Sequence, residues 1–259
     1  HYKSQNYNKY KKNMKYLIGI DDTDNIDTKG TGSRVRQLAQ ELNDNKYCKA
    51  IGITRHQLYV HKDIPYTSHN SSACLEIDTE NINKVIEYTR KFLIKNSAEG
   101  SDAGLCVANF LHINDDIMNW GKNAKIKILT MEDAYSIAQK HNIFLEGLTG
   151  KKTGIIGSLA AIGLRAYGND GRFLMLGEYE IREINGIYTI NELQNIFPKL
   201  LIFDLKNNNF VIENENIFVG EWMRPVLRDG KQVLLVKQCN DKKYSYVVED
   251  KEFIKRISS

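Results

Sequence analysis

Three aspartates fall within four residues at Ile18–Asp24, IGIDDTD: Asp21, Asp22 and Asp24. Carboxylates this close repel one another. They are tolerable if solvated or if a cation sits among them, and hard cations such as Mg²⁺ take carboxylate oxygens together with nucleotide phosphates. Thr23 adds a hydroxyl that could ligate or cap. The alternative is an acidic turn at a helix N-terminus, where the dipole favours Asp. The second element is KGTGS, Lys29–Ser33. Gly30 and Gly32 let backbone N–H groups approach an anion, and a helix start adds a favourable field. Ser33 is the natural N-cap of that helix, or a hydroxyl facing a phosphate.

Three further stretches carry chemistry-bearing side chains. Thr54–Ala73 gathers Arg55, His56, His61, Lys62, His69 and Asn70. Its histidine spacing matches no zinc pattern, so it reads as a loop contacting phosphate or substrate, or as a solvated loop. Glu99–Gly104, EGSDAG, sets Asp102 among small residues, as a binding loop or a simple turn would. Gly147–Gly163, GLTGKKTGIIGSLAAIG, resembles a P-loop, but the glycine required five residues before Gly150-Lys151 is Leu145, and the match fails. Gly154, Gly157 and Ser158 there could line a ligand, or pack a Gly/Ala-rich helix in the core.

The elements that must position these residues are legible as a pattern. Lys15–Ile20 is a short apolar run that reads as a buried strand feeding the acidic loop. Ser33–Leu42 has helical spacing, with Val35, Leu38, Ala39 and Leu42 on one face. Such a strand–loop–helix unit puts its loop at the carboxyl end of the strand, where open α/β sheets bind ligands. Cys48–Leu58 and Ala73–Ile77 read as strands, Ile82–Ile94 as an amphipathic helix, Ile126–Leu129 as a short strand, and Met131–His141 as a helix capped by Thr130. Beyond them come strands at Phe173–Arg182 and Ile187–Ile190 joined by a turn, a helix at Asn191–Phe197, and strands at Leu200–Asp204, Phe210–Glu213, Val233–Lys237 and Tyr244–Val248. Asp229-Gly230 marks a hairpin turn.

Bulk properties narrow the function classes. The 259 residues fit one large domain or two modest ones. The net charge of +4 comes from four lysines in residues 1–13, read as a flexible leader; without them 32 basic residues face 32 acidic ones, so the charge gives no sign of a nucleic-acid-binding body. No apolar stretch is long enough for a transmembrane helix. The four cysteines form no C-x-x-C pair, which excludes a zinc ribbon and fits reduced thiols in the cytoplasm.

Taken in order, these motifs resemble the archaeal tRNA-isoleucine agmatidine synthetase (TiaS) family. The resemblance rests on Gly19-Ile20-Asp21-Asp22-Thr23-Asp24-Asn25, on Gly30-Thr31-Gly32-Ser33-Arg34, on Ile64, Pro65, Thr67 and Asn70, and on Gly154-Ile155-Ile156-Gly157 with Leu159–Gly163. It covers roughly residues 15–185. It implies an α+β fold with α/β-like parts: a kinase-like domain over residues 14–140 that binds ATP and Mg²⁺ at the Asp-rich loop, then a ferredoxin-like domain over 141–259 with a C-terminal β extension. It implies an ATP-dependent ligase or phosphotransferase, with a small amine such as agmatine as acceptor. Asp21, Asp22 and Asp24 would hold the metal and, with Ser33, the catalytic centre. Thr23, Gly30, Gly32, Ser33, Arg55, His69 and Asn70 would hold the nucleotide, and Asp102, Gly154, Gly157 and Ser158 the acceptor. Arg34 replaces the family's second loop threonine, and the loop Ile26–Lys29 is longer. The family's oligonucleotide-binding fold and zinc ribbon have no counterpart in these residues, so tRNA affinity is expected to be poor and the acceptor altered. The alternative is a nucleotide- or amine-binding protein without turnover.

Overall fold

In the computed structural model, which describes residues 14–64, 70–221 and 223–258, the chain is an α+β protein built on one branched sheet. The expected leader, residues 1–13, lies outside the described residues. Six elements come first: β1 (Met14–Asp21), α1 (Thr31–Asp44), β2 (Lys49–Gln57), β3 (Ser71–Thr79), α2 (Ile82–Asn96) and β4 (Gly104–Asn109). Their strands are antiparallel in the order β4-β1-β3-β2. This βαββαβ plait is the ferredoxin-like arrangement. The motif resemblance assigned that arrangement to residues 141–259; the plait lies at 14–109, because strand order comes from pairing between distant segments and leaves no trace in local periodicity.

Alternation along β1 decides which side chain faces what. Ile18 and Ile20 point into a core shared with Val35, Leu38 and Leu42 of α1 and Val85 and Leu93 of α2. Leu17 points the other way, into a second core with Leu159, Ala160 and Ile162. Those belong to α5 (Ile155–Tyr167), which follows α3 (Asp115–Asn123), α4 (Met131–Lys140) and β5 (Phe144–Gly147). β5 pairs with β4 and extends the same sheet past residue 140. Thr130 caps α4 as expected, its hydroxyl accepting from the Asp133 amide at 3.1 Å. Ile126–Leu129 is not a strand but the turn after α3: Ile126 and Ile128 are exposed, with no neighbouring strand to pair.

α5 meets β1 closely enough that glycine is required. A Cβ at Gly19 would stand 1.9 Å from the Ser158 carbonyl oxygen. Gly19→Ala is therefore expected to destabilise by about 1–3 kcal/mol through overpacking, measurable as a lower denaturation midpoint with unchanged m-value.

The remaining strands continue from β2. β6 (Arg172–Leu176) pairs with β2 and leads to a second sheet region. This comprises β7 (Gly186–Thr189), α6 (Ile190–Ile196), β8 (Leu200–Asp204), β9 (Asn209–Phe210), β10 (Asn216–Gly220), β11 (Val226–Arg228), β12 (Lys231–Gln238), β13 (Tyr246–Val248) and α7 (Lys251–Ile257). β11 and β12 form the expected hairpin, with Asp229 and Gly230 both at positive φ (49° and 71°), as a type I′ turn needs. The strand expected at Phe173–Arg182 stops at Leu176, and β6 and β7 do not pair; β7 pairs with β10.

Candidate functional site

β1 ends at Asp21, and the chain then turns through Asp22, whose φ of 54° is left-handed. Asp tolerates that region better than most side chains. Asp21, Asp22 and Asp24 all line one pocket of about 250 Å³. Its walls are mainly apolar, with Leu58, Ile128, Leu129 and Ile156 among them, and Lys127 and Asp63 are its other charged residues.

Ionisation of Asp21 and Asp22 is opposed by their surroundings. Burial, then the Asp22 charge, pushes the Asp21 carboxyl well above the ordinary carboxylate range; the Asp22 amide and Asp24 act in smaller and opposite ways. Burial and the Asp102 charge raise Asp22 to about 6, against the pull of the Asp102 amide. Such perturbed acids in a cleft mark a functional candidate. Asp24 has a local duty: its Oδ1 accepts from the Thr31 amide at 3.0 Å and the Thr31 hydroxyl at 2.8 Å. That carboxylate caps α1 where no side chain of the N-cap Gly30 can.

The glycine loop sits differently from expectation. α1 starts at Thr31, so Ser33 is in its first turn rather than at the cap, and the Ser33 amide donates to the Gly30 carbonyl at 2.9 Å. Gly30, Gly32 and Ser33 do not line the acidic pocket; Asp24 and Thr31 connect the two. Thr23 is buried, its hydroxyl donating to the Thr31 hydroxyl at 3.2 Å and its carbonyl accepting from the Ala98 amide. Asn70 does line the pocket, and its amide group donates to the Tyr59 carbonyl at 2.6 Å. His69 lies outside the described residues.

Arg55 is not brought to the acids. Its cross-strand partner Ala73 belongs to the core under α1 and α2, so Arg55 lies on that face, opposite α5. The pocket instead receives the first turn of α5. Thr153, Gly154, Ile156 and Gly157 line it, and a Cβ at Gly157 would fall 1.8 Å from Asp21 Oδ2. Gly157 is thus glycine because a carboxylate occupies the space beside it. Ser158 points away: it is fully buried, and its hydroxyl donates to the Ile155 carbonyl at 3.1 Å. Asp102 positions this helix start. Its carboxylate accepts from the Lys151 amide and the Thr153 hydroxyl, and its carbonyl accepts from the Gly154 amide at 2.9 Å.

Among the described residues no three His, Cys, Asp or Glu side chains converge as a ready-made metal cage. The donors fit Mg²⁺ in another manner: one or two carboxylates, Asp21 and Asp22, with phosphate oxygens completing the set. Sequence reasoning missed Leu58, Lys127, Thr153 and Ile156. Ile126 and Ile128 flank Lys127 with a strand's alternation, so the local pattern hid this loop rather than marking it.

A second polar cluster is sealed. Thr54 Oγ1 lies 2.8 Å from His56 Nε2, and His56 Nδ1 lies 2.8 Å from Asp170 Oδ1. The spacing matches a nucleophile–base–acid relay, but Thr54 is 1% and His56 0% exposed, so no substrate reaches it. Burial lowers the His56 pKa and keeps the ring neutral, while Lys125 pairs with the other Asp170 oxygen at 2.5 Å. This is a buried brace between β2 and the segment after α5.

No protein-family model matches the sequence, and no curated protein does. Solved structures do share the fold. A complex of TiaS with an isoleucine tRNA and ATP aligns at TM-score 0.51 and 21% identity over 58% of this chain and 36% of that chain. Apo TiaS, the agmatidine synthetase of that tRNA, aligns at 0.51 and 17% over 94% of this chain and 54% of that one. A complex of TiaS with the tRNA, AMPCPP and agmatine aligns at 0.50 and 16% over 91% and 59%. The chain therefore spans between 36% and 59% of the length of these structures, and at such identities the likeness is one of fold. Among the described residues no helix is long and apolar enough to cross a membrane.

Proposed function

We propose that the chain is an ATP- and Mg²⁺-dependent ligase or phosphotransferase that activates an acceptor by phosphorylation, with a small amine as the joining partner. The observation that carries this reading is the raised, closely spaced acid pair Asp21–Asp22, at a strand end against the first turn of a glycine-rich helix. The fold shared with TiaS, whose solved complexes hold ATP, agmatine and an isoleucine tRNA, supports it.

Asp21 and Asp22 would hold Mg²⁺, which when bound offsets phosphate charge. Asp24 locks the loop through Thr31, so the acids keep their spacing. The first turn of α5 lines the pocket, and the positive end of its dipole favours an anion there. Asp102 fixes that turn. Leu58, Ile128, Leu129 and Ile156 exclude water and offer an apolar surface to a base or an alkyl stem. Chemistry of this kind relies on positioning and electrostatics more than on a strong base. Localisation in the cytoplasm is part of the same proposal, as such a reaction draws on cellular ATP.

The test is release of ADP, AMP or pyrophosphate from Mg-ATP across a panel of amines, with and without tRNA. A second reading is favoured by the apolar walls beside the acids: a binder of a cationic amine without turnover. Calorimetry decides between them. Amine binding that is indifferent to Mg-ATP, with no product from any acceptor, selects the second.

Gly157→Ala provides a separate check on the geometry. The added methyl would displace the Asp21 carboxylate, so turnover is expected to fall by roughly 10²-fold, against only a modest change in melting temperature. Unchanged kcat/KM in this variant would place the reacting groups elsewhere.

A further inference from the structure

The opposite face of the sheet carries an unusual pairing. Arg55 of β2 and Arg172 of β6 are direct cross-strand partners. Like charges so placed destabilise a sheet. Among the described residues neither arginine forms an ion pair. Arg55 Nη2 donates to Gln57 Oε1 and Arg172 Nη1 to Ser258 Oγ, each at 3.5 Å, the long limit of such bonds. The arrangement is kept despite its cost.

Beside Arg172 lies a hollow of about 80 Å³, several times the room one ordered water needs. Five cations line it: Arg172, Arg182, Arg224, Lys251 and Lys255. The rest of its described lining is apolar, and of the five cations Lys255 pairs with Glu252 of α7 at 3.1 Å. Leu174 belongs to that lining and also meets α1, since a Cβ at Gly32 would approach Leu174 Cδ1 to 2.6 Å. Burial, then the Arg55 and Arg224 charges, lowers the Arg172 pKa to about 10, with Glu252 of α7 working weakly the other way. Burial alone lowers Arg55.

We propose that this hollow is a phosphate-binding site, separate from the acidic pocket, that takes a phosphate group from either a nucleotide or an RNA backbone. A bound phosphate turns mutual repulsion into shared attraction. Guanidinium forks match its oxygens in bidentate fashion. The inference does not depend on catalysis at Asp21.

The test is calorimetric titration of the full chain with sodium tripolyphosphate, with Mg-ATP and with a single-stranded RNA oligonucleotide. It compares wild type, Arg172→Gln, Lys251→Gln and Asp21→Asn. Arg172→Gln is expected to weaken one or more probes by about 10-fold or more, and Lys251→Gln by a smaller factor. For RNA the salt slope should fall by about one per charge removed. A loss confined to RNA identifies a phosphodiester; a loss for tripolyphosphate and Mg-ATP identifies a polyphosphate. Asp21→Asn should leave tripolyphosphate and RNA binding intact, so failure of the acidic-pocket reading is separable from failure here. Arg172→Gln should melt at or above wild type, because one of two opposed charges is gone. Lys251 is exposed and its variant keeps the test open if Arg172→Gln does not fold. If wild type binds no probe, or both variants bind every probe as wild type does, no phosphate site exists in this hollow.

Discussion

Asp21→Asn and Asp22→Asn should each abolish Mg-ATP-dependent turnover, by roughly 10³-fold or more in kcat/KM, and at the same time raise the melting temperature at neutral pH. The two effects have one cause. The site gathers carboxylates whose charge is opposed by burial and by one another, so ionisation costs the unliganded fold free energy that a bound cation would return. The direction follows from linkage. A carboxyl whose folded pKa is raised stabilises the fold fully below its unfolded value near 3.8, and that contribution is lost as pH rises through the folded value. For Asp22 the window runs from about pH 4 to about pH 6. Asp22→Asn should therefore melt higher than wild type at pH 7.5, with the gap closing toward pH 4. Steady-state kinetics and melting curves across that range check both halves. Full activity in both variants, or a lower melting temperature at pH 7.5, would sink the assignment.

Glu76→Gln is the second large expectation, and it concerns the frame rather than the chemistry. Glu76 sits in β3 and is 3% exposed. One of its oxygens meets Arg165 of α5, itself 8% exposed, and the other meets the Lys15 amine at 2.7 Å. Lys15 is well exposed to water, whereas Arg165 is largely buried. Removing the carboxylate strands a buried guanidinium, which costs about 3–5 kcal/mol. In a chain of this size the melting temperature should drop by roughly 10 °C. The double variant Glu76→Leu with Arg165→Met removes both partners and should recover most of the loss, since a buried pair as a whole contributes little net stability. If the single variant is neutral, or the double is worse than the single, the ion pair is not what ties α5 to the sheet. Because α5 brings Gly154 and Gly157 to the acids, the single variant should also lower activity in proportion to its unfolded fraction.

The fold shared with the TiaS structures is the one the motif resemblance implied, although local signals and spatial ones contributed unequally. The strand into Asp21, the apolar face Val35–Leu42, the Thr130 cap and the Asp229-Gly230 turn were all legible. Each depends on residues within one turn or one hairpin of each other, and sequence order preserves that proximity. The crowding of Asp21, Asp22 and Asp24 was legible for the same reason.

What no one-dimensional pattern could supply was the company those acids keep. Asp102 raises the pKa of Asp22 from far along the chain, and Gly157 makes room for Asp21 from a helix that is equally remote in sequence. Arg55 looked like a partner for phosphate at the acids. The register of β2 against β3 and β6 turns it to the opposite face, beside Arg172. A strand's side chains alternate, so a residue's face is set by its pairing and by which helices cover each side. Residue type and local spacing specify which positions carry charge and which segments form elements. Which charges share a cavity depends on strand order and register, and these arise from contacts between segments far apart in the chain.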